Sequence, residues 1–304
     1  PELQEVFLTI CNSCWDEGVT PESWLQGLII PIAKPKKDLR FPKSFRPICL
    51  LPVLAKLMER LVANRLMNWL NINNKLPDSQ YGYRAGRSTD TLLSELTARI
   101  THGLKTPKNT PHERTGMVSI DLQTAFDTVV HWILMERFKI LGIPPKFARW
   151  YWSFLRQRSN YVRVGDSRSQ RYKFSSSVPQ GSVSGPILWD IYISGLPDVV
   201  SAANAVHAIG PQQPNSNPFG QPLTVYEAYF ADDLNWLCQH TDERLIIRTL
   251  QKVMKKIHQY LTHTLCLTLS QSKPLSFILF TSYCKNVSGK KLQNKHGKFC
   301  MAGS

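Results

Sequence analysis

Charges of one sign are missing from each end of this 304-residue sequence. No Lys or Arg precedes Lys34 and no Asp or Glu follows Glu243, although the whole chain has a net charge of +15. Between Lys34 and Arg87 there are twelve basic residues and three acidic ones. A surplus concentrated in this way is typical of a protein that binds a polyanion. We therefore favour nucleic acid as the partner over a generally basic surface that only aids solubility.

Long apolar runs are absent as well. No stretch approaches the roughly 18 consecutive apolar residues of a membrane helix, so we expect no membrane partner. No basic-then-apolar leader is visible, and no signal peptide is expected. The seven cysteines follow no framework spacing, which favours free thiols in a reducing, intracellular compartment. Cys11 and Cys14 form a lone CxxC that we interpret as helix packing rather than a metal site.

Apolar periodicity predicts a mixture of helices and strands in a chain that is 42% hydrophobic. The predicted helices cover 3–15, 52–70, 89–100, 146–156, 179–195 and 244–265, and another follows Asp121 and ends at Gly142. The predicted strands cover 24–32, 117–121, 161–164, 172–178 and 277–280. Residues 210–222 are rich in Gly, Pro and Asn and predict a loop or a disordered insert.

The helix predicted over 52–70 has a clear apolar stripe with a spacing of 3.6 residues. Its members are Leu54, Leu57, Met58, Leu61, Val62, Leu66, Trp69 and Leu70. The opposite side carries Lys56, Glu59, Arg60, Asn64 and Arg65. We interpret this second side as a solvated face or a face turned toward a polyanion.

Two adjacent carboxylates, Asp232 and Asp233, stand between two short apolar runs, so the pattern predicts a hairpin with both aspartates at its tip. Asp121 ends another apolar strand. If these strands are neighbours in one sheet, three carboxylates meet, and oxygen ligands alone favour a hard ion such as Mg²⁺. Two such ions would support an in-line nucleotidyl transfer. Taken singly, Asp-Asp is ordinary turn chemistry and Asp121 is an ordinary helix N-cap.

From about Trp24 to Phe280, six motifs in order resemble the reverse transcriptases of non-LTR (LINE-type) retrotransposons. They are Phe45-Arg46-Pro47-Ile48 with Lys56–Arg60, the loop Gln80–Thr89, Asp121 with Ala125-Phe126-Asp127, the segment Phe154–Gly165, the segment Val178–Pro186, and Phe230-Ala231-Asp232-Asp233. Each motif alone is weak evidence for this resemblance, but six motifs in this order are specific to the family.

The resemblance implies an α+β chain with the right-hand polymerase fold, in which fingers accompany an antiparallel palm sheet backed by helices. We expect an N-terminal extension and fingers at 1–115. The palm is expected at 116–285, with fingers elements interleaved at about 143–185. A basic tail at 286–304 would begin a thumb that is otherwise largely absent, so the chain is expected to be one piece of a longer reading frame.

The resemblance also implies a catalytic metal site. Asp121 and Asp232 correspond to the metal-binding carboxylates, and Asp233 corresponds to a third, looser ligand. The backbone oxygen of Leu122 is an expected extra ligand. The implied cofactor is Mg²⁺, with Mn²⁺ as the alternative. Asp127 is interpreted as a structural cap or helix contact and not as a ligand.

Six positions resemble the dNTP-binding residues of the family: Phe126, Arg46, Lys34, Gln180, Gly181 and Lys273. Phe126 corresponds to a steric gate whose ring excludes a 2′-hydroxyl, although a ring here also suits core packing. Arg46 would hold the triphosphate with Lys34 assisting, and Lys273 would protonate pyrophosphate. Gln180 and Gly181 would lie along the nascent base pair, where a missing Cβ permits close approach.

The loop 80–89 supplies the expected contacts to template and primer, which are Arg84, Gly86, Arg87, Tyr81 and Tyr83. The arginines would hold backbone phosphates and a tyrosine would stack on a base. Departures from the family pattern occur at Ser184, where Leu is commoner, and at Ser270 and Pro274, where Asn and Thr are usual.

The expected function is an RNA-directed DNA polymerase that extends a DNA 3′ end on an RNA template with dNTPs, acting in the nucleus. Two alternatives stay open: a decayed fragment that only binds RNA or other nucleic acid, and a group II intron-type maturase, against which the loop 80–89 counts. The sequence assigns no oligomeric state.

Overall fold

The computed structural model of the chain describes residues 2–104, 113–122, 124–205, 223–269, 276–281 and 295–298. Its helices are α1 (Glu2–Glu17), α2 (Val53–Ile72), α3 (Thr89–Leu104), α4 (His131–Ile140), α5 (Pro145–Leu155), α6 (Gly185–Ile193), α7 (Leu196–Ala205) and α8 (Glu243–Gln259). Its strands are β1 (Gln26–Ala33), β2 (Phe45–Leu50), β3 (Arg114–Asp121), β4 (Ser159–Val164), β5 (Ser167–Arg168), β6 (Tyr172–Lys173), β7 (Val225–Phe230), β8 (Asp233–His240), β9 (Ser276–Thr281) and β10 (Lys295–Lys298). Within these ranges, no helix has the length and apolar character needed to span a membrane.

The chain divides into two compact units, and each unit is built from two separate stretches of sequence. Unit 1 contains Pro1–Leu76 and Thr124–Ile193, and unit 2 contains Pro77–Gln123 and Ser194–Ser304. These units divide the chain at residues other than the boundaries predicted for fingers and palm. Compactness alone does not identify fingers or palm, so those boundaries stay a prediction.

Unit 1 is organised around strand β1. This strand pairs antiparallel with β2 and parallel with β4, and β4 also pairs with β5 and β6. Helix α5 supplies a buried aromatic cluster in which Trp150 and Phe154 are each 1% exposed. Their rings stack with centroids 5.1 Å apart, as a spacing of four residues on one helix allows.

Helix α2 forms where the periodicity predicts it, and half of its predicted apolar stripe is buried: Met58, Val62, Leu66 and Leu70. Leu54, Leu57 and Leu61 are exposed, whereas Glu59, from the face expected to be solvated, is completely buried. Oε1 of Glu59 accepts a hydrogen bond of 2.7 Å from the backbone N–H of Ser184. A buried carboxylate needs such a partner, and this one is 125 residues away in the chain, so periodicity within the helix did not reveal it.

Unit 2 is built on an antiparallel sheet with the strand order β10-β9-β3-β8-β7. Met117 of β3 packs against the buried cluster that contains Leu92 and Leu96 of α3. On the preceding residue, a Cβ added to Gly116 would lie 2.4 Å from Ile246 of α8. Successive residues of a strand point to opposite faces, so α3 and α8 cover opposite faces of the sheet, and Gly116 allows α8 to approach closely.

Most predicted elements are present with bounds shifted by a few residues, while β2, β5, α7 and β10 were not predicted. The helix predicted over 179–195 begins only at Gly185, whose N–H donates to Oγ of Ser182 at 3.0 Å. The strand predicted over 172–178 is reduced to Tyr172–Lys173. The loop predicted at 210–222 lies outside the described residues.

Candidate active site

Three carboxylates lie at one end of the unit 2 sheet. Strand β3 ends at Asp121 and β8 begins at Asp233, and these two residues are paired in the antiparallel register. Asp232 lies in the turn that joins β7 to β8, directly after Ala231, whose φ is +55°. Cβ atoms of directly opposed residues are about 5 Å apart. The register of the sheet therefore brings Asp121 and Asp233 together, and the predicted hairpin tip is present.

The loop that precedes α3 packs against this turn. The backbone N–H of Tyr81 donates to the carbonyl of Tyr229 at 2.8 Å, and the N–H of Tyr229 donates to the carbonyl of Ser79 at 2.8 Å. A Cβ on Gly82 would lie 2.5 Å from the backbone nitrogen of Ala231. Gly82 is thus a residue of the site that was not predicted from the sequence. The only feature of the sequence that points to it is a glycine between two tyrosines.

The two arginines expected to hold template phosphates contact the carbonyls of their own loop. Arg84 donates to the carbonyl of Pro77 at 2.8 Å, and Arg87 donates to the carboxylate of Asp78 at 2.7 Å. The guanidinium of Arg87 also lies 5.1 Å from the ring centroid of Tyr81. These contacts fix the shape of the loop, and template binding by the two arginines stays a prediction.

The remaining predicted residues of this loop differ in exposure. Tyr81 is 9% exposed, and its hydroxyl donates to Glu95 at 2.8 Å. Burial and its hydrogen bonds raise the pKa of Tyr81. Its ring belongs to the core beneath α3 rather than to a surface on which a base could stack. Tyr83 and Gly86 are exposed and both have positive φ, +59° and +75°.

In unit 1, the segment with Gln180 and Gly181 lies along strand β2. The N–H of Cys49 donates to the carbonyl of Gln180 at 2.7 Å. Gly181 has φ +106°, and a Cβ there would lie 2.9 Å from the carbonyl oxygen of Cys49. Nε2 of Gln180 donates to the carboxylate of Asp127 at 3.2 and 3.3 Å. The backbone packing against Cys49 therefore requires glycine at position 181, with or without a bound nucleic acid.

The partner of Asp127 is Gln180, a contact that the sequence does not predict. Burial raises the pKa of its carboxyl, while the hydrogen bond from Gln180 and the charge of Lys34 oppose the rise. Asp127 thus orients the amide of Gln180, which agrees with a structural role.

A fully buried carboxylate, Glu59, contacts the end of the same segment at Ser184. Burial raises the pKa of Glu59, and the hydrogen bond to Ser184 and the nearby charge of Arg158 oppose the rise. Arg158 is 3% exposed, and its Nε donates to the carbonyl of Phe154 at 2.9 Å. Burial lowers the pKa of Arg158. Glu59 thus holds the backbone directly before α6, shortly after Gln180 and Gly181, and the charge of Arg158 favours the ionised form of Glu59.

Three further predicted dNTP residues also lie in unit 1. The ring of Phe126 is half-buried and lies 5.7 Å from the ring of Trp189. Arg46 is exposed on β2, opposite Ile32 of β1. Nζ of Lys34 donates to the carbonyl of Lys43 at 3.0 Å. The packing of Phe126 agrees with the core role considered above, and its gate role stays a prediction.

Comparison with known proteins decides the family. Residues 34–283 match the family model described as reverse transcriptase (RNA-dependent DNA polymerase). The chain belongs to the reverse transcriptase family. The resemblance inferred from the six motifs is thereby confirmed.

Similar curated proteins come from retrotransposons. The chain is 32% identical over 258 residues to a probable RNA-directed DNA polymerase from transposon BS of Drosophila melanogaster, covering 84% of this chain and 27% of that protein. It is 35% identical over 198 residues to the RNA-directed DNA polymerase from mobile element jockey of the same species, covering 65% of this chain and 21% of that protein. This reverse transcriptase chain thus spans about a quarter of the length of the curated relatives it matches.

Among solved structures, telomerase from Candida tropicalis has a similar fold. The apo enzyme lacking its C-terminal domain matches with a TM-score of 0.55 and 14% identity, covering 91% of this chain and 53% of that one. At this identity the likeness concerns the fold alone. It agrees with the predicted polymerase fold of mixed helices and strands.

The carboxylates of this reverse transcriptase suit a divalent ion by chemistry and by backbone position. Aspartate oxygens are the ligands that hard cations prefer, and the register places Asp121 opposite Asp233. Leu122, the predicted backbone ligand, forms an isolated bridge with Leu269 and is 3% exposed. In the part of the chain that the structure describes, no three His, Cys, Asp or Glu side chains are grouped closely enough to enclose a metal ion. Lys273 lies outside the described residues.

Proposed function

We propose that this chain is the polymerase part of a non-LTR retrotransposon reverse transcriptase and synthesises DNA on an RNA template. The observation that carries the proposal is the register that sets Asp121 opposite Asp233, with Asp232 in the adjoining turn. Family membership supports it, and so does the basic surplus of the chain, because both template and primer are polyanions.

Divalent ions, with Mg²⁺ as the proposed ion and Mn²⁺ as the alternative, would be held by Asp121, Asp232 and Asp233 and by the backbone oxygen of Leu122. When bound, such ions activate an attacking hydroxyl and neutralise developing charge on the phosphate. The protein's own contribution is positional, because the sheet register fixes where the carboxylates stand before any ion binds.

We further propose that the unit 2 sheet is the palm and that unit 1 contains fingers elements. The proposed dNTP contacts are Arg46, Lys34, Phe126, Gln180, Gly181 and Lys273. Support comes from the exposure of Arg46 and from the half-buried hydrogen bonds to Asp127 that orient Gln180. Arg84, Gly86, Arg87 and Tyr83 are proposed to meet template or primer, and the burial of Tyr81 argues for a supporting role.

The proposed partners are an RNA template, a DNA primer or target end, and dNTPs, with the nucleus as the place of action. One telomerase of similar fold was solved in complex with a fragment of telomeric RNA, at 15% identity to this chain. That complex supports RNA as the template class without identifying a sequence.

Primer extension on an RNA template tests the polymerase proposal directly. Asp232→Asn preserves side-chain size but removes a proposed metal ligand, so it should lower dNTP incorporation by roughly a thousandfold, which corresponds to about 4 kcal/mol of transition-state stabilisation. The matched control is Asp166→Asn, because Asp166 is an exposed turn residue between β4 and β5. This control should retain wild-type extension.

Equal extension by wild type and Asp232→Asn would contradict the site. Failure of the wild type to incorporate dNTPs, with RNA binding intact, would favour the alternative of a decayed copy that only binds nucleic acid. Binding is therefore measured by fluorescence anisotropy on the same samples.

A further inference from the structure

Helix α8 has two faces of opposite character. Its inner face is completely buried against the unit 2 sheet, with Ile246, Leu250, Val253, Met254 and Ile257 each 0% exposed. Its outer face carries cations, which we call the α8 basic stripe: Arg244, Arg248, Lys252, Lys255 and Lys256. Four of the five are exposed and Lys252 is half-buried. Because the apolar face of α8 is buried in the core, only its charged face can contact a partner.

The basic stripe has no acidic partner in the described part of the chain. The ion pairs found there involve none of its five cations. The two carboxylates at the start of α8 are engaged elsewhere: Asp242 accepts from the N–H of Arg244 at 2.8 Å, and Glu243 lies 3.9 Å from Arg114. On α3, by contrast, Arg99 is paired with Glu95 at 2.8 Å.

The spacing of the stripe suits a phosphate backbone. Arg244, Arg248, Lys252 and Lys256 recur every four residues, so neighbouring cations are about 6 Å apart along the axis and the stripe is about 18 Å long. A nucleic-acid strand rises about 3.4 Å per phosphate, so this length spans about five phosphates. We propose that the α8 basic stripe is a second nucleic-acid contact surface, which holds the sugar–phosphate backbone of RNA on the face of the unit 2 sheet that α8 covers.

This surface is separate from the carboxylate end of the sheet. The stripe lies on the helix that covers one face, whereas Asp121 and Asp233 lie where β3 ends and β8 begins. The proposal deepens the proposed function, since it assumes a nucleic-acid substrate, and it assigns the stripe to retention of RNA rather than to chemistry. A lipid surface fits less well, because interfacial helices present an apolar face to the membrane and that face of α8 is buried.

Salt-dependent RNA binding tests the proposal. The variant Arg248→Gln/Lys252→Gln/Lys255→Gln removes three cations and leaves the inner face intact. Binding of a 20-nucleotide single-stranded RNA and of an RNA duplex of about 20 base pairs is measured by anisotropy in EDTA, over a series of salt concentrations. For the single strand, the slope of log K against log salt should become shallower by about 2, and affinity at about 100 mM salt should fall at least tenfold.

The matched control keeps the charges. Arg248→Lys/Lys252→Arg/Lys255→Arg should bind RNA with the wild-type slope, and circular dichroism should show the same melting temperature for all three proteins. An unchanged slope in the glutamine variant would overturn the proposal. So would loss of binding to vesicles containing phosphatidylserine with RNA binding unchanged. A larger loss for the duplex than for the single strand would identify double-stranded RNA as the preferred form.

The polymerase proposal can fail separately from this one. Extension of a short primer on a short template at saturating concentrations should be equal in wild type and the glutamine variant, since α8 contributes no residue to the carboxylate end. If the wild type extends no primer but its RNA binding still depends on the stripe, the polymerase proposal fails and the binding surface stands.

Discussion

Glu227 is a carboxyl group on β7 that folding shields from water. Burial raises its pKa to about 7; the hydrogen bond from the Tyr229 hydroxyl opposes this rise and the charge of Asp198 adds to it. Nε1 of Trp236 donates to that hydroxyl at 3.1 Å, so the group is held in a buried polar chain. The folded protein therefore keeps a proton on Glu227 in a pH range where the unfolded chain releases it.

This shift predicts a pH-dependent stability. The stabilising contribution of Glu227 is fully present below about pH 4.5 and is lost as the pH rises through about 7, and its size is about 3 kcal/mol. Glu227→Gln, which cannot ionise, should remove that part of the pH dependence. Urea denaturation between about pH 5 and pH 8 measures it, with exposed Glu136→Gln as control. Parallel pH curves for wild type and Glu227→Gln would contradict the assignment.

Single residues also show what sequence alone can predict. The placement of Asp121 opposite Asp233, with Asp232 in the adjoining turn, could be predicted because motif, strand pattern and turn chemistry agree locally. Glu59 was misplaced because its partner, Ser184, is distant in the chain. The apolar residues of α2 predicted a helix correctly, but three leucines of its predicted stripe are exposed while Glu59 is buried.

Helix α8 approaches strand β3 closely at Gly116. A Cβ there would be 2.4 Å from Cγ2 of Ile246 and 3.1 Å from Cδ1 of Leu250. Gly116→Ala should therefore lower the free energy of unfolding by about 1–3 kcal/mol through overpacking.

A double-mutant cycle provides the sharp test of this contact. Ile246→Ala alone should cost about 2–5 kcal/mol through the cavity that it leaves. Because Ile246→Ala also removes the clashing Cγ2, the double variant should be more stable than the sum of the two single changes by at least about 0.5 kcal/mol. Additive losses in the free energy of unfolding, measured by chemical denaturation, would contradict the predicted clash, because they would show that α8 can shift away from β3.

Strand β2 is an element that the sequence pattern does not predict. Its six residues include Pro47, and a proline inside a short run argues against a strand. In the structure Pro47 is paired with Pro31 of β1, so each strand carries a residue without an N–H at the same position. The pairing partner makes the strand acceptable, and that partner is visible only in the fold.

At the scale of the whole molecule, the two compact units are interleaved in sequence. Each contains one stretch from before residue 124 and one from after it. A fragment 1–205 includes both stretches of unit 1, whereas a fragment 1–104 includes only the first stretch of unit 1 and part of the first stretch of unit 2. Fragment 1–205 should therefore melt cooperatively by circular dichroism, and fragment 1–104 should not. Cooperative melting of both would contradict the division.

Asp233 is the first residue of β8, the strand that pairs with β3. The same strand register therefore sets both the position of the carboxylates and the packing of the unit 2 core. A change that shifts the pairing of β8 with β3 by one residue would therefore move Asp233 away from Asp121 and turn the core side chains of β8 to the wrong face of the sheet. Replacing an aspartate side chain, by contrast, leaves the backbone position of that residue unchanged.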